Sequence, residues 1–256
     1  MRIFIMDKWK IIRYACALLV ICFVFTLATH ITSNVIMTVA KSDRLLPVYC
    51  IDTETNDISL TFDCAWGADD MPQILDTLKA NNIKATFFVL GEWAEKFPDI
   101  IKRMSEEGHD VSNHSDTHPH IASLSYDNIK KEITSANNKI ENLTRKKNDL
   151  FRAPYGEYND NVISAADELG FYTIQWDVDS LDWKNLGKEN ILNRVLTKTK
   201  NGSIILMHNG TQDTANVLDE MIKKLKEKGF SFKRVSEFIY RENYTIDHTG
   251  KQIKSN

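Results

Sequence analysis

Hydrophobic residues recur along this chain in two alternating rhythms. Short β-type runs fall at residues 58–62, 85–90, 109–112, 149–152, 171–176, 203–207 and 230–233. Between them, apolar positions stand three or four apart, the spacing of one helix face. Ile129, Ile133, Ala136, Ile140 and Leu143 make one such stripe. Ile74, Leu75 and Leu78, then Ile100, Ile101 and Met104, repeat the pattern, as do the stretches 162–169 and 217–225. Gly108, Gly170 and Gly229 each follow a helix and precede a strand, where a chain-reversing glycine belongs. Seven strands alternating with helices predict a parallel sheet. A full barrel of this type needs about 200–250 residues. The expectation is therefore an α/β fold, a distorted (β/α) barrel of about seven parallel strands over residues 57–240. An open doubly wound sheet competes with it, but no G-x-G-x-x-G follows a strand, which weakens the dinucleotide-binding version.

The N-terminus reads as a separate object. Arg2, Lys8, Lys10 and Arg13 face a single acid, Asp7, and residues 11–28 are apolar apart from Arg13 and Thr26. That run reaches the lower limit of a membrane-spanning helix, about 18–20 residues. A basic flank followed by an apolar run is also the shape of a secretory signal; a buried helix is the third reading. The expected organisation is a cytoplasmic tail and membrane anchor or signal over 1–40, a polar connector over 41–56, the α/β domain over 57–240 and a polar tail over 241–256. The positive-inside rule then puts the domain outside the cell membrane, or secretes it if the signal is cleaved.

Composition narrows the partners. With 43% hydrophobic and 26% charged residues, wholesale disorder is excluded. A net charge of -3, and no basic cluster beyond Arg145, Lys146 and Lys147, argue against nucleic acid. Cys16 and Cys22 lie in the apolar run, leaving Cys50 and Cys64 as the only other pair. Two free thiols are expected there, with a bridge as the alternative.

Polar residues gather where strands end. Asp63 follows the first strand, His114 and His118 the third, Arg152, Pro154 and Tyr155 the fourth, Asp177, Asp179, Asp182 and Trp183 the fifth, and His208 the sixth. All fall at the C-terminal ends of parallel strands, the face on which α/β barrels build active sites. In NHSDTHPH, His114 and His118 are four apart and can bind a borderline metal such as zinc from one turn; a capping and a solvated histidine would be the plainer reading. His120, past the proline, is expected to be exposed. In TFDCAWG, Asp63 can serve as a general base, or cap the next helix. That helix already has Asp69 and Asp70 as candidate caps, followed by Pro72. RAPYG can aim a backbone N–H at an oxyanion, and Arg152 can orient a carboxylate; an ordinary turn with a surface arginine would look the same. His208 in LMHNG is placed for a general acid or for a structural role.

Taken together, TFD, HSDTHP, RAPYG, DSLDW and LMH stand in the order and approximate spacing of the polysaccharide deacetylases, the NodB-homology enzymes of the fourth carbohydrate esterase family. The chain resembles that family over about residues 57–240, and looks most like its sporulation-associated, membrane-anchored branch. The resemblance implies metal-dependent removal of N-acetyl groups from amino sugars of peptidoglycan or a related wall or spore-cortex polysaccharide. It implies Asp63 as base, His114 and His118 as ligands of a divalent metal, zinc or cobalt among the candidates, and His208 as acid. Arg152 would orient Asp63, Asp182 would tune His208, and the Tyr155 N–H after Pro154 would hold the oxyanion. Trp183 and Leu206 would line the acetyl pocket. One position departs from the pattern. The family's usual TFDDG has a second aspartate as third metal ligand, and here Cys64 stands in its place. A thiolate can ligate zinc; Asp69, Asp70 or water could fill the position instead. If none does, the domain would be a catalytically impaired glycan-binding relic.

Overall fold

The structure, a computed structural model, describes residues 44–255 together with residue 9 and residues 19–22. The chain divides into two units, Met1–Arg44 and Leu45–Asn256. In the first, residues 19–22 are helical, with Leu19, Val20 and Ile21 exposed. Among the described residues no helix is long and apolar enough to cross a membrane. The rest of the 11–28 segment expected as anchor or signal lies outside the described residues.

The second unit is built on eleven short strands. In chain order they are β1 (Cys50–Ile51), β2 (Asp57–Cys64), β3 (Thr86–Val89), β4 (Asp110–Asn113), β5 (Leu150–Phe151), β6 (Tyr172–Thr173), β7 (Val178–Asp179), β8 (Ile204–His208), β9 (Ser231–Phe232), β10 (Tyr244–Ile246) and β11 (Lys251–Lys254). The helices are α1 (Met71–Ala80), α2 (Gly91–Lys96), α3 (Pro98–Glu106), α4 (Tyr126–Thr144), α5 (Asp160–Glu168), α6 (Lys188–Lys198), α7 (Thr214–Glu227) and α8 (Val235–Phe238). Seven strands form one parallel path in the order β6, β5, β4, β3, β2, β8, β7, and β9 pairs with the start of β2. The expected seven-stranded distorted barrel is what forms. Its two edges, β6 and β7, are consecutive in sequence with no helix between them, so the curl stays open there.

Strand alternation builds two interiors. In β2, Ile58, Leu60, Phe62 and Cys64 face outward into the main core beneath helices α1 and α7. Ser59, Thr61 and Asp63 face the opposite way, as a period of two requires, and Thr61 donates to the Ile205 carbonyl within the curl. The same alternation sends Phe87 and Val89 outward from β3, and Ile205 and Met207 outward from β8. Phe88 and Ile204 turn inward and join Val48, Ile51 and Ile174 in a second cluster. The α4 stripe is buried at Ile129, Ile133, Ala136 and Ile140.

Two boundaries differ from expectation. Residues 44–56 are not a loose connector, and residues 241–255 are not a free tail. β1 pairs in parallel with β11, which pairs antiparallel with β10, while Val48 bridges to Ile174 beside the edge strand β6. The first helix cap also differs. Asp70 occupies the position before α1 but makes no side-chain cap bond; its carboxylate accepts instead from the Gly210 N–H at 2.8 Å. Cys22, Cys50 and Cys64 are free thiols.

Candidate active site

Register sets the centre of the site. Asp63 pairs across to His208 on β8 and to Phe88 on β3, so base and acid candidates stand on adjacent strands. Arg152, just after β5, is fully buried. Its Nη1 donates to Asp63 Oδ1 at 2.7 Å and to Thr61 Oγ1 at 2.8 Å, and Nη2 donates to the Gln175 carbonyl at 3.0 Å. The guanidinium lies 4.0 Å from the Phe88 ring centroid and 5.5 Å from that of Trp176. Burial alone would raise the Asp63 carboxyl. The Arg152 guanidinium, with His114 and His208 nearby, outweighs it and holds the group below its ordinary value.

His208 is biased the other way. Its Nδ1 is 2.8 Å from Asp182 Oδ1, and its backbone N–H donates to Asp182 Oδ2 at 2.8 Å. The Asp182 carboxylate also accepts from the Trp183 N–H and the Thr214 hydroxyl, at 2.9 and 2.6 Å, so it is buried but fully hydrogen-bonded. Burial would lower the His208 imidazole; the Asp182 hydrogen bond and charge prevail and raise it.

His114 and His118 come from a loop, not from a helical turn. Ser115 and His118 both adopt left-handed φ, at 71° and 60°. The loop is clamped by Glu132, whose Oε2 accepts from the Asp116 and Thr117 amides at 3.0 and 2.9 Å. The imidazole rings end 5.2 Å apart. His114 Nδ1 lies 2.8 Å from the Arg152 carbonyl. A carbonyl only accepts, so Nδ1 carries the proton and Nε2 presents a bare lone pair. That lone pair is 3.6 Å from Asp63 Oδ2. Burial lowers His114 and, with His114 beside it, holds His118 at about 4, so both rings are neutral donors.

These groups open into a cavity of about 480 Å³ lined by Asp63, Trp66, His114, His118, Tyr155, Trp176, Asp179, Trp183, Leu206 and His208 among others. A larger cavity of about 660 Å³ lies at the opposite, N-terminal ends of the strands. Its Arg241 and Arg234 are paired with Asp149 and Asp110. Tyr155 stands at φ 58° in the turn after buried Pro154, with its ring against His118 at 4.3 Å and stacked on exposed His120 at 4.5 Å.

Cys64 is not brought to this cavity. One residue past Asp63, it faces the outer core, and its nearest hydrogen-bonding partner is the Phe62 carbonyl at 3.9 Å. Burial, with Asp63 and Asp70 nearby, pushes its thiol well up. The expected thiolate ligand is thus turned away from the cavity. Asp177 is likewise structural, accepting from Ser203 Oγ and the Ile204 N–H. Trp66 and Trp176, by contrast, line the cavity without having been singled out. Trp66 lies within the TFDCAWG segment and Trp176 directly precedes Asp177, which was the available signal.

A family model described as polysaccharide deacetylase matches residues 51–174. The Bacillus subtilis peptidoglycan-N-acetylmuramic acid deacetylase PdaA is 34% identical over 202 residues, 77% of each chain. The chain belongs to the polysaccharide deacetylase family. A peptidoglycan-N-acetylglucosamine deacetylase of Bacillus cereus is 40% identical over 180 residues, covering 69% of this chain and 66% of that protein. The crystal structure of a CE4-family pseudoenzyme from Bacillus anthracis matches with a TM-score of 0.73 at 38% identity, over 75% of this chain and 68% of that one.

Polysaccharide deacetylases are generally metal-dependent. Among the described residues of this member, no three His, Cys, Asp or Glu side chains form a finished metal cage. The donors on one side nevertheless fit a divalent cation. A bare His114 Nε2 facing the Asp63 carboxylate sets two electron-rich atoms against each other, an arrangement that a cation relieves. The carbonyl on His114 Nδ1 is the outer partner that metal-binding imidazoles use, and His118 Nδ1 is buried without a partner.

Proposed function

We propose that this chain removes N-acetyl groups from amino sugars of peptidoglycan or a related wall polysaccharide. The observation that carries the reading is one cavity in which two ionisable groups are pushed in opposite directions, Asp63 toward the carboxylate and His208 toward the imidazolium. Groups separated in this way divide the roles of base and acid. Asp63, held ionised by Arg152, takes the proton of the attacking water. The imidazolium of His208, backed by Asp182, gives its proton to the leaving amine. The Tyr155 N–H is assigned to the developing oxyanion, while Leu206 and Trp183 shape the wall against which the acetyl methyl rests. His114 and His118 would hold the metal, with zinc the first candidate. A divalent metal, when bound, polarises the amide carbonyl and acidifies water.

The peptidoglycan deacetylases of Bacillus cereus and Bacillus subtilis among the relatives support the substrate class. The basic flank and apolar run at 11–28 support a membrane-held, extracytoplasmic enzyme of the sporulation-associated branch. Acetate release from purified peptidoglycan and from N-acetylglucosamine oligomers, with and without added zinc or cobalt, tests the proposal. Asp63→Asn and His208→Ala should each lower release by a factor of about 10² or more. Release that survives both substitutions refutes the assignment. Glycan binding with no release under any metal favours the impaired, glycan-binding alternative, a reading kept open by Cys64 and by the pseudoenzyme relative.

A further inference from the structure

Trp66 is 64% exposed, although it lines the cavity beside His118. A large aromatic left in water on a flexible loop would be unremarkable, but this loop is tied down. The Trp66 and Gly67 carbonyls each accept from Asn209 Nδ2 at 3.0 Å. Gly67 also accepts from the Trp93 indole N–H at 2.6 Å. Gly210, at φ 70°, passes so close that a Cβ there would come within 2.8 Å of the Trp66 carbonyl. Asn209 and Gly210 directly follow His208, so the strand end that carries the acid candidate also fixes the backbone that carries the aromatic ring.

The ring meets His118 with centroids 5.1 Å apart and planes at 67°, and most of the side chain stays open to solvent for a further contact. Trp183, which lines the same cavity, is 52% exposed, and the Lys184 ammonium sits 4.9 Å from its ring centroid. Two exposed indoles lining a cavity that also holds a few convergent polar groups are the composition of a ligand site. A small amide or acetate ester would sit among Asp63, His114 and His208 and leave Trp66 in water. A pyranose ring has an apolar C–H face that suits an indole, and in a chain it follows directly on the sugar whose acetamide is cleaved.

We propose that Trp66 is a positioning residue that stacks against a neighbouring sugar of a chain of N-acetylated hexosamines, so that the enzyme selects polymer over monosaccharide. This rests on the deacetylase reading above and names the substrate's length. An aromatic contact of this kind gives about tenfold in affinity.

The test uses N-acetylglucosamine oligomers of two to five units. With wild-type protein KM should fall as the chain lengthens. Trp66→Ala should raise KM for the pentamer about tenfold with kcat changed much less, and so lose the length dependence, while Trp66→Phe should keep most of it. A length dependence unchanged in Trp66→Ala overturns the proposal. Should the wild type release no acetate from any oligomer or from peptidoglycan, the deacetylase reading fails separately. Calorimetric binding of the pentamer then decides the role of Trp66: binding about tenfold weaker in Trp66→Ala sustains it, and equal binding, or none by the wild type, overturns it.

Discussion

Replacing Arg152 by methionine tests the electrostatic core of the site. The guanidinium is fully buried and Asp63 is 7% exposed, so the carboxylate would lose its only hydrogen-bonded cation without gaining water. Removing one member of a buried ion pair costs about 3–5 kcal/mol. Losing the hydrogen bonds to Thr61 Oγ1 and the Gln175 carbonyl adds about 2 kcal/mol that does not depend on charge. Against a total stability of about 5–15 kcal/mol, the variant is severely weakened at neutral pH. The pH dependence separates the two parts. In the wild type the Asp63 carboxyl is held below its unfolded value, so its contribution is present above that value and is lost as pH falls through the folded one. In Arg152→Met the order reverses. Without the guanidinium, burial pushes the carboxyl up from its depressed wild-type position to above its unfolded value, and stability is lost as pH rises through that window. Protonated His208 offsets part of the charge and narrows that window. Urea unfolding in chelator at several pH values between 5 and 8 should show a deficit that shrinks toward acid. Adding Asp63→Asn should recover all but about 2 kcal/mol. A deficit flat across that range, with no recovery in the double variant, would show that Arg152 acts by packing and not by charge.

Two further outcomes follow from other parts of the structure. Cys64→Ala should leave zinc content unchanged and cost about 1–2 kcal/mol by trimming a core side chain; metal analysis beside thermal unfolding checks it, and loss of metal from a folded variant would restore the thiolate as a ligand. His109 is buried, accepts from the Ala85 N–H at 3.1 Å and is held at about 4 by burial. Because the unfolded chain takes up that proton first, stability should fall by up to about 3 kcal/mol as pH drops from 6.5 toward 4. In His109→Asn this part of the acid loss should disappear, and equal pH slopes in the two proteins would count against it.

The elements legible in the sequence were those whose own residues carry the signal. The α4 stripe and the long β2 run read directly, because each buries a face defined within one segment. β1, β10 and β11 did not, since two to four residues of mixed polarity carry no usable period. Their pairing joins Cys50 to Lys251 across the whole domain. β7 was hidden for a related reason: Val178 and Asp179 sit inside a polar motif whose acids drew attention as chemistry.

Cys64 is the instructive miss, because the information needed to avoid it was present. Reading the motif letter by letter makes residue 64 the substitute for a ligand next to Asp63. Reading it as a strand gives a different answer. Ile58, Leu60 and Phe62 are the apolar positions, and the next residue in phase with them is 64. If Asp63 faces the cavity, an extended backbone must turn its neighbour away. A second ligand from position 64 therefore requires the strand to end or bulge at Asp63, and here the ladder runs on, with Cys64 in register with Val89 and its carbonyl accepting from the Leu90 N–H at 3.2 Å. Any metal held by this member would therefore draw on the Asp63 side of the strand and on the 114–118 loop, while continued β-pairing keeps position 64 turned into the core.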